Sequence, residues 1–190
     1  MNMLQLPRLL VSSHEGWDEI ERTHPGMDEM FLKLVLPLSL LPPAMILFAS
    51  AGMGAELLPE THFGNWLLAA AFLFVAEHFS VPLMAGAIRE AARAKGVDAS
   101  LRDAYAVAAI APVPLWLSSL ALLFGSVWLA ALVAVGALIA AGVLVHNGVE
   151  RLLGVEEDVE ASEMAVQVIS LGVLAWLALL VVALVPLLAF

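Results

Sequence analysis

The sequence predicts an all-α polytopic membrane protein, five transmembrane helices behind a short cytoplasmic amphipathic helix at the N-terminus. Three observations carry that prediction. Hydrophobic residues make up 62% of the 190 positions, where soluble domains average about 45–50%, and mean hydropathy is +0.96. Apolar runs of about 20 residues, the length a bilayer crossing needs, recur along the chain. All the lysines and arginines fall on one side of the topology those runs define.

Residues 1–30 read as a cytoplasmic N-terminal segment and 31–190 as the transmembrane domain. "MNMLQLPRLL" lacks the charged n-region and long apolar core of a cleavable signal, so we expect none. Ser12 and Glu15 have capping-box spacing. Trp17, Ile20, His24, Met27 and Phe31 then recur at three- and four-residue steps, and His24-Pro25-Gly26 should end the helix. Trp17 is the expected interfacial anchor. The polar face is acidic (Glu15, Asp18, Glu19, Glu21), so packing on the protein's own bundle is favoured over free membrane binding.

The first apolar run, residues 34–55, gives a helix over 31–55. The second, 66–88, gives a helix over 65–94. The tract 104–145 carries no charge, and at about 1.5 Å per residue it is far too long for one crossing of a core of about 30 Å. "FGSVW" (124–128) is the natural hairpin within it, giving helices over 101–124 and 127–150. The last run, 164–190, gives a helix over 162–189. Ser100 with Asp103 repeats the capping spacing, and Asp98 and Ser162 are looser start signals. Pro37, Pro42, Pro43, Pro82, Pro112 and Pro114 should kink or locally unwind their helices. Small residues at Ala69, Ala76, Ser80 and Ala87, and at Ala130, Ala134, Ala137 and Ala141, predict close helix contacts. We favour contacts within the monomer, with a homo-oligomer as the alternative.

Five crossings put Arg8, Arg22, Lys33, Arg89, Arg93, Lys95, Arg102 and Arg151 on one face. The positive-inside rule makes that face cytoplasmic, with the N-terminus inside and the C-terminus outside. Net charge is −10 and there is no cysteine. Nucleic-acid binding, disulfides and thiolate metal sites are excluded on those grounds.

Three stretches resemble the Yip-one domain family, the Ypt/Rab-interacting membrane proteins and their bacterial inner-membrane relatives. They are "EGWDEIERTHPGMDEMFLKLVLPLSLLPPAMILFA" (15–49), "AYAVAAIAPVPLWLSSLALL" (104–123) and "GVERLLGVEEDVEASEMAVQVI" (148–169). The first matches the Trp-containing helix that leads into a proline-rich first crossing. The second matches an Ala-Tyr opening followed by proline, and the third a short acidic loop. The chain departs from the pattern at Glu156, where the family often has proline. The resemblance implies a non-enzymatic membrane protein of the bacterial inner membrane; in eukaryotes it would imply binding of Rab-type GTPases.

The candidate chemistry is concentrated at Glu77 and His78, with Ser80 one turn on. Glu77 is the central residue of its run, and a charge at the bilayer midplane costs about 2.5–3.5 kcal/mol on insertion scales. It should therefore carry a proton or find a partner, and His78 should be neutral, both held by hydrogen bonds to other helices. Three roles remain open: a polar packing clamp, a proton- or ion-handling site, and a metal site. His146 and Glu150 form an i,i+4 pair that could hold a cation, though an interfacial cap is favoured. Glu56, Glu60 and His62 read as a solvated turn, and His14 and His24 as water-facing. Residues 156–163 read as a solvated acidic connector, with Glu160 and Glu163 favouring the start of the last helix.

No Gly-rich phosphate loop, HExxH, GxSxG or serine–lysine dyad is present, so no enzyme and no cofactor is expected. The expected partners are the lipid bilayer, an unidentified membrane or cytoplasmic protein, and a second copy. The leading function is a membrane-organising or adaptor role. The alternative is a small proton or metal-ion transporter using Glu77 and His78.

Overall fold

The computed structural model describes residues 13–153 and 158–188, with side chains described for 16–153 and 161–188. Arg8, the Ser12 cap and the first two residues of the acidic connector lie outside that range, as do the side chains of His14, Glu15 and Glu160. The described residues contain five helices long and apolar enough to cross a membrane.

Helix α1 (Ser13–Thr23) ends at His24, whose N–H still bonds the Ile20 carbonyl at 2.9 Å. His24 takes φ 42, a left-handed conformation, and Pro25 cannot continue a helix. The first span, α2 (Met27–Ser50), starts straight after Gly26, ahead of residue 31. It is not one regular helix. A wide π turn over Phe31–Val35 precedes Pro37, and the chain bends at Leu40 before Pro42 and Pro43. Each proline removes a backbone donor, and the wide turn takes up the mismatch.

A short helix, Met53–Leu57, leads to α3 (Phe63–Ala94), which runs unbroken through Pro82. Here the expected break is absent, because neighbouring spans hold the helix on both sides of one lost bond. Its end is a Schellman turn: Gly96 at φ 78, with Val97 N–H on the Ala92 carbonyl and Gly96 N–H on that of Arg93, both 3.0 Å.

Helix α4 (Leu101–Phe124) starts at a cap in which Ser100 Oγ accepts from the Asp103 N–H at 3.1 Å. It breaks at Pro112 and tightens into a 3₁₀ turn over Ser119–Phe124. Gly125 at φ 64 reverses the chain, and Ser126 caps α5 (Val127–Leu152) through the Leu129 N–H. Helix α6 (Asp158–Leu188) is the last span.

Helix α3 is the hub, lying along α6, α4 and α2, while α5 packs on α6, α4 and α1. Two apolar cores result. The larger, at the end that carries the basic residues, joins Trp17, Met30, Leu34, Ile88, Val107, Val149 and Met164. The smaller, at the far end, joins Trp66, Ala69 and Leu187 with Ile46 and Leu58 packed on it. There Asn65 donates to the Pro186 carbonyl at 2.9 Å, and Thr61 to that of Leu187 at 3.4 Å. These bonds reach carbonyls near the end of α6 that have no donor within the helix. Phe72, Phe79, Leu83, Leu132, Ile139 and Leu174 are exposed, as the lipid-facing side of a membrane bundle must be.

Candidate intramembrane site

The buried face of α3 runs Trp66, Ala70, Leu73, Glu77, Val81, Ala85, Ile88 and Ala92. Steps of three and four residues keep these on one side of a helix, and Glu77 stands in the middle of the series. Its residue exposure is 4%. The carboxyl faces the buried side chain of Trp116 on α4, yet Oε2 has no hydrogen-bond partner. Ser80 does not reach the carboxyl: its hydroxyl donates to the Glu77 backbone carbonyl at 2.8 Å.

His78 points elsewhere, as consecutive helical residues must, about 100° apart. Its Nδ1 lies 2.7 Å from the Phe74 carbonyl. A carbonyl only accepts, so Nδ1 carries the proton. The ring stacks at a tilt on Phe74, centroids 4.2 Å apart, and meets Phe31 edge-on at 5.5 Å. Nε2 is buried without a partner. Of the expected hydrogen bonds from this pair to other helices, Glu77 accepts one, from the Trp116 indole of α4, and His78 makes none that reaches another helix. The bonds of His78 and Ser80 stay within α3, because the faces opposite offer alkyl and aryl groups.

Glu77 is set in the wall of a partly open cavity of about 530 Å³ lined by all five spans. The wall is almost wholly apolar. Its polar side chains are Glu77, Ser80, Ser118 and Ser119, with the indoles of Trp116 and Trp176. Ser118 and Ser119 spend their protons on their own helix, donating to the Leu115 and Trp116 carbonyls at 2.7 Å, so they present only lone pairs to the space.

Ala130, Ala134 and Ala141 also line this cavity, which corrects the close packing expected of their stripe. The α6 side of the lining mixes small residues, Gly172, Ala175 and Ala183, with bulky ones such as Ile169, Trp176 and Leu179. The alanines of α5 are too short to fill the space before that wall, and the gap stays open. A Cβ added at Gly172 would meet nothing within 4 Å.

Trp17 is 0% exposed, so the anchor expected at the lipid interface is an anchor to protein. A Cβ on Gly148 would lie 2.9 Å from its Cη2 and 3.1 Å from a Val107 methyl. Glycine at 148 makes room for the indole. Arg151 of α5 pairs with Asp18 of α1 at 3.3 Å, and Lys95 with Glu163 at 2.7 Å. Both pairs are exposed enough to contribute little.

His146 and Glu150 lie exposed on α5, and no cluster of three or more His, Cys, Asp or Glu that could hold a metal occurs among the described residues. Glu56, Glu60 and His62 are exposed in the far-end loop, and His24 is exposed beside α1. The cavity, Trp116, Ser118, Ser119 and Trp176 were not singled out from sequence. Gly142 and Gly172 facing each other's helices was the available signal.

A family model for the Yip1 domain matches residues 8–180. No curated protein matches the chain, and no solved structure does. Five membrane-capable helices in an all-α fold, with a match over nearly the whole length, settle the assignment: the chain is a multi-pass membrane protein that belongs to the Yip1 domain family.

Proposed function

We propose that this protein is a non-enzymatic membrane-organising adaptor of a bacterial inner membrane. Its basic end lies in the cytoplasm, where the N-terminal helix meets a protein partner. One observation carries the reading: α1 is locked onto the bundle through the fully buried Trp17. A helix held by a buried indole presents its outer face (Asp18, Glu19, Arg22) in a fixed register, as a docking surface requires. The apolar cavity wall supports the same reading, since ion passage requires polar groups or water along the path.

Two measurements test it. The protein reconstituted in liposomes should carry protons and divalent metals at background rates, and Glu77→Gln should behave identically. A photo-crosslinker placed in cells at Glu19 or Arg22 should trap one defined protein, while the same probe at lipid-facing Leu132 should not. Flux that depends on Glu77 would make the chain a transporter. Equal labelling patterns from α1 and Leu132 would end the adaptor reading.

A further inference from the structure

The cavity is a ligand site by size and by chemistry. Pockets that bind small molecules measure about 300–1,000 Å³, mostly apolar with a few placed polar groups, and this one measures about 530 Å³. Its lining on α6 extends from Val168 to Ala183, about 22 Å at 1.5 Å per residue. One leaflet of hydrocarbon is about 15 Å, half the core, so the slot takes a lipid chain lengthwise. Val127, Val173 and Leu180 belong to the wall yet stay partly exposed, at 45%, 37% and 39%. They sit on α5 and α6, so the way in leads from the bilayer between those two helices.

The polar end of the ligand follows from what the wall leaves unsatisfied. Glu77 Oε2 is buried without a partner, and such a group costs about 1–3 kcal/mol until something bonds it. The three serine hydroxyls offer acceptors only, their protons being committed to backbone carbonyls. A hydroxyl can both donate and accept, so it satisfies a carboxyl in either protonation state. An ammonium would bring a second charge into an apolar wall. A phosphate would meet no basic side chain there, since none lines the cavity.

We propose that the cavity binds one molecule of a neutral long-chain lipid alcohol, its hydroxyl on Glu77 and its chain along the α5–α6 wall. The site goes beyond the adaptor reading and stands or falls separately from it, by a binding measurement that needs no protein partner.

The test uses the full chain in nanodiscs and dibromostearyl alcohol, whose bromines quench tryptophan on contact. Trp116 and Trp176 line the cavity, whereas Trp17, Trp66 and Trp128 do not. Quenching should saturate, and Trp176→Phe should remove part of its amplitude without changing the midpoint. Glu77→Leu should weaken the midpoint about fivefold or more, the worth of one hydrogen bond, while Glu77→Gln, which still donates and accepts, stays within about twofold. Gly172→Leu should abolish the saturable part by occupying the space. Ala134→Leu fills it from the opposite wall, should the glycine variant fail to fold. Quenching that rises linearly, that brominated phosphatidylcholine reproduces, or that ignores both Glu77→Leu and the filling variants would overturn the site. Tighter binding of dibromostearic acid than of the alcohol would overturn the hydroxyl assignment.

Discussion

At Glu77 the neighbours along the buried face of α3 are Leu73 and Val81, and any alkyl side chain would have served packing there. A buried polar group that lacks a partner lowers stability, while an apolar replacement of similar shape is close to neutral or better. In a ligand-free detergent preparation Glu77→Leu removes that unpartnered oxygen and also the acceptor of the Trp116 indole N–H, so its melting temperature should stay within a few degrees of the parent's. A loss larger than about 1–3 kcal/mol, the cost of one orphaned indole N–H, would instead show that the carboxyl is a packing clamp, bonded at Oε2 as well. The burial of Glu77 was readable from the sequence, because the middle of a 23-residue apolar run has nowhere wet to go. The group opposite it was not. Which group stands opposite depends on the rotation of α4, and Trp116 gave no sign of its partner in a stretch read for prolines.

Element by element, the five spans were legible because apolar length is a direct physical requirement of the bilayer. The hairpin at Gly125 and the Ser100 cap were legible because local backbone chemistry sets them. The alanine stripe of α5 misled for a physical reason: small residues permit close approach without enforcing it, and Ala130, Ala134 and Ala141 face the cavity instead. For Trp17 the acidic polar face of α1 favoured packing on the bundle and the buried indole agrees, although an amphipathic helix with a tryptophan can face headgroups or protein with the same periodicity. The pocket that receives it is made by Gly148. Gly148→Ala puts a methyl within 3.0 Å of the indole, an overpacking that should cost about 1–3 kcal/mol. The expected outcome is a lower melting temperature and proteolytic release of α1, with helix content otherwise unchanged. A melting curve that superimposes on the parent's would show α1 to be held some other way.

For the molecule as a whole, the five spans among the described residues put the short Met53–Leu57 helix and the Arg93 end of α3 at opposite ends of the bundle. The absence of cysteine makes that simple to read. Glu60→Cys, in the exposed far-end loop, should react with a membrane-impermeant maleimide in intact spheroplasts. Arg93→Cys, at the basic end, should react only after permeabilisation, and the reverse pattern would invert the proposed orientation. The far-end bonds from Asn65 and Thr61 to the last turn of α6 join residues 121 and 126 positions apart. At about 5–20 residues per second of synthesis, that separation is about 6–25 s of translation. Through that interval α3 stands in the bilayer without α6, the face it later packs on that helix open to lipid and to the insertion machinery. The fold is closed by its last span, so quality control has one late event to monitor.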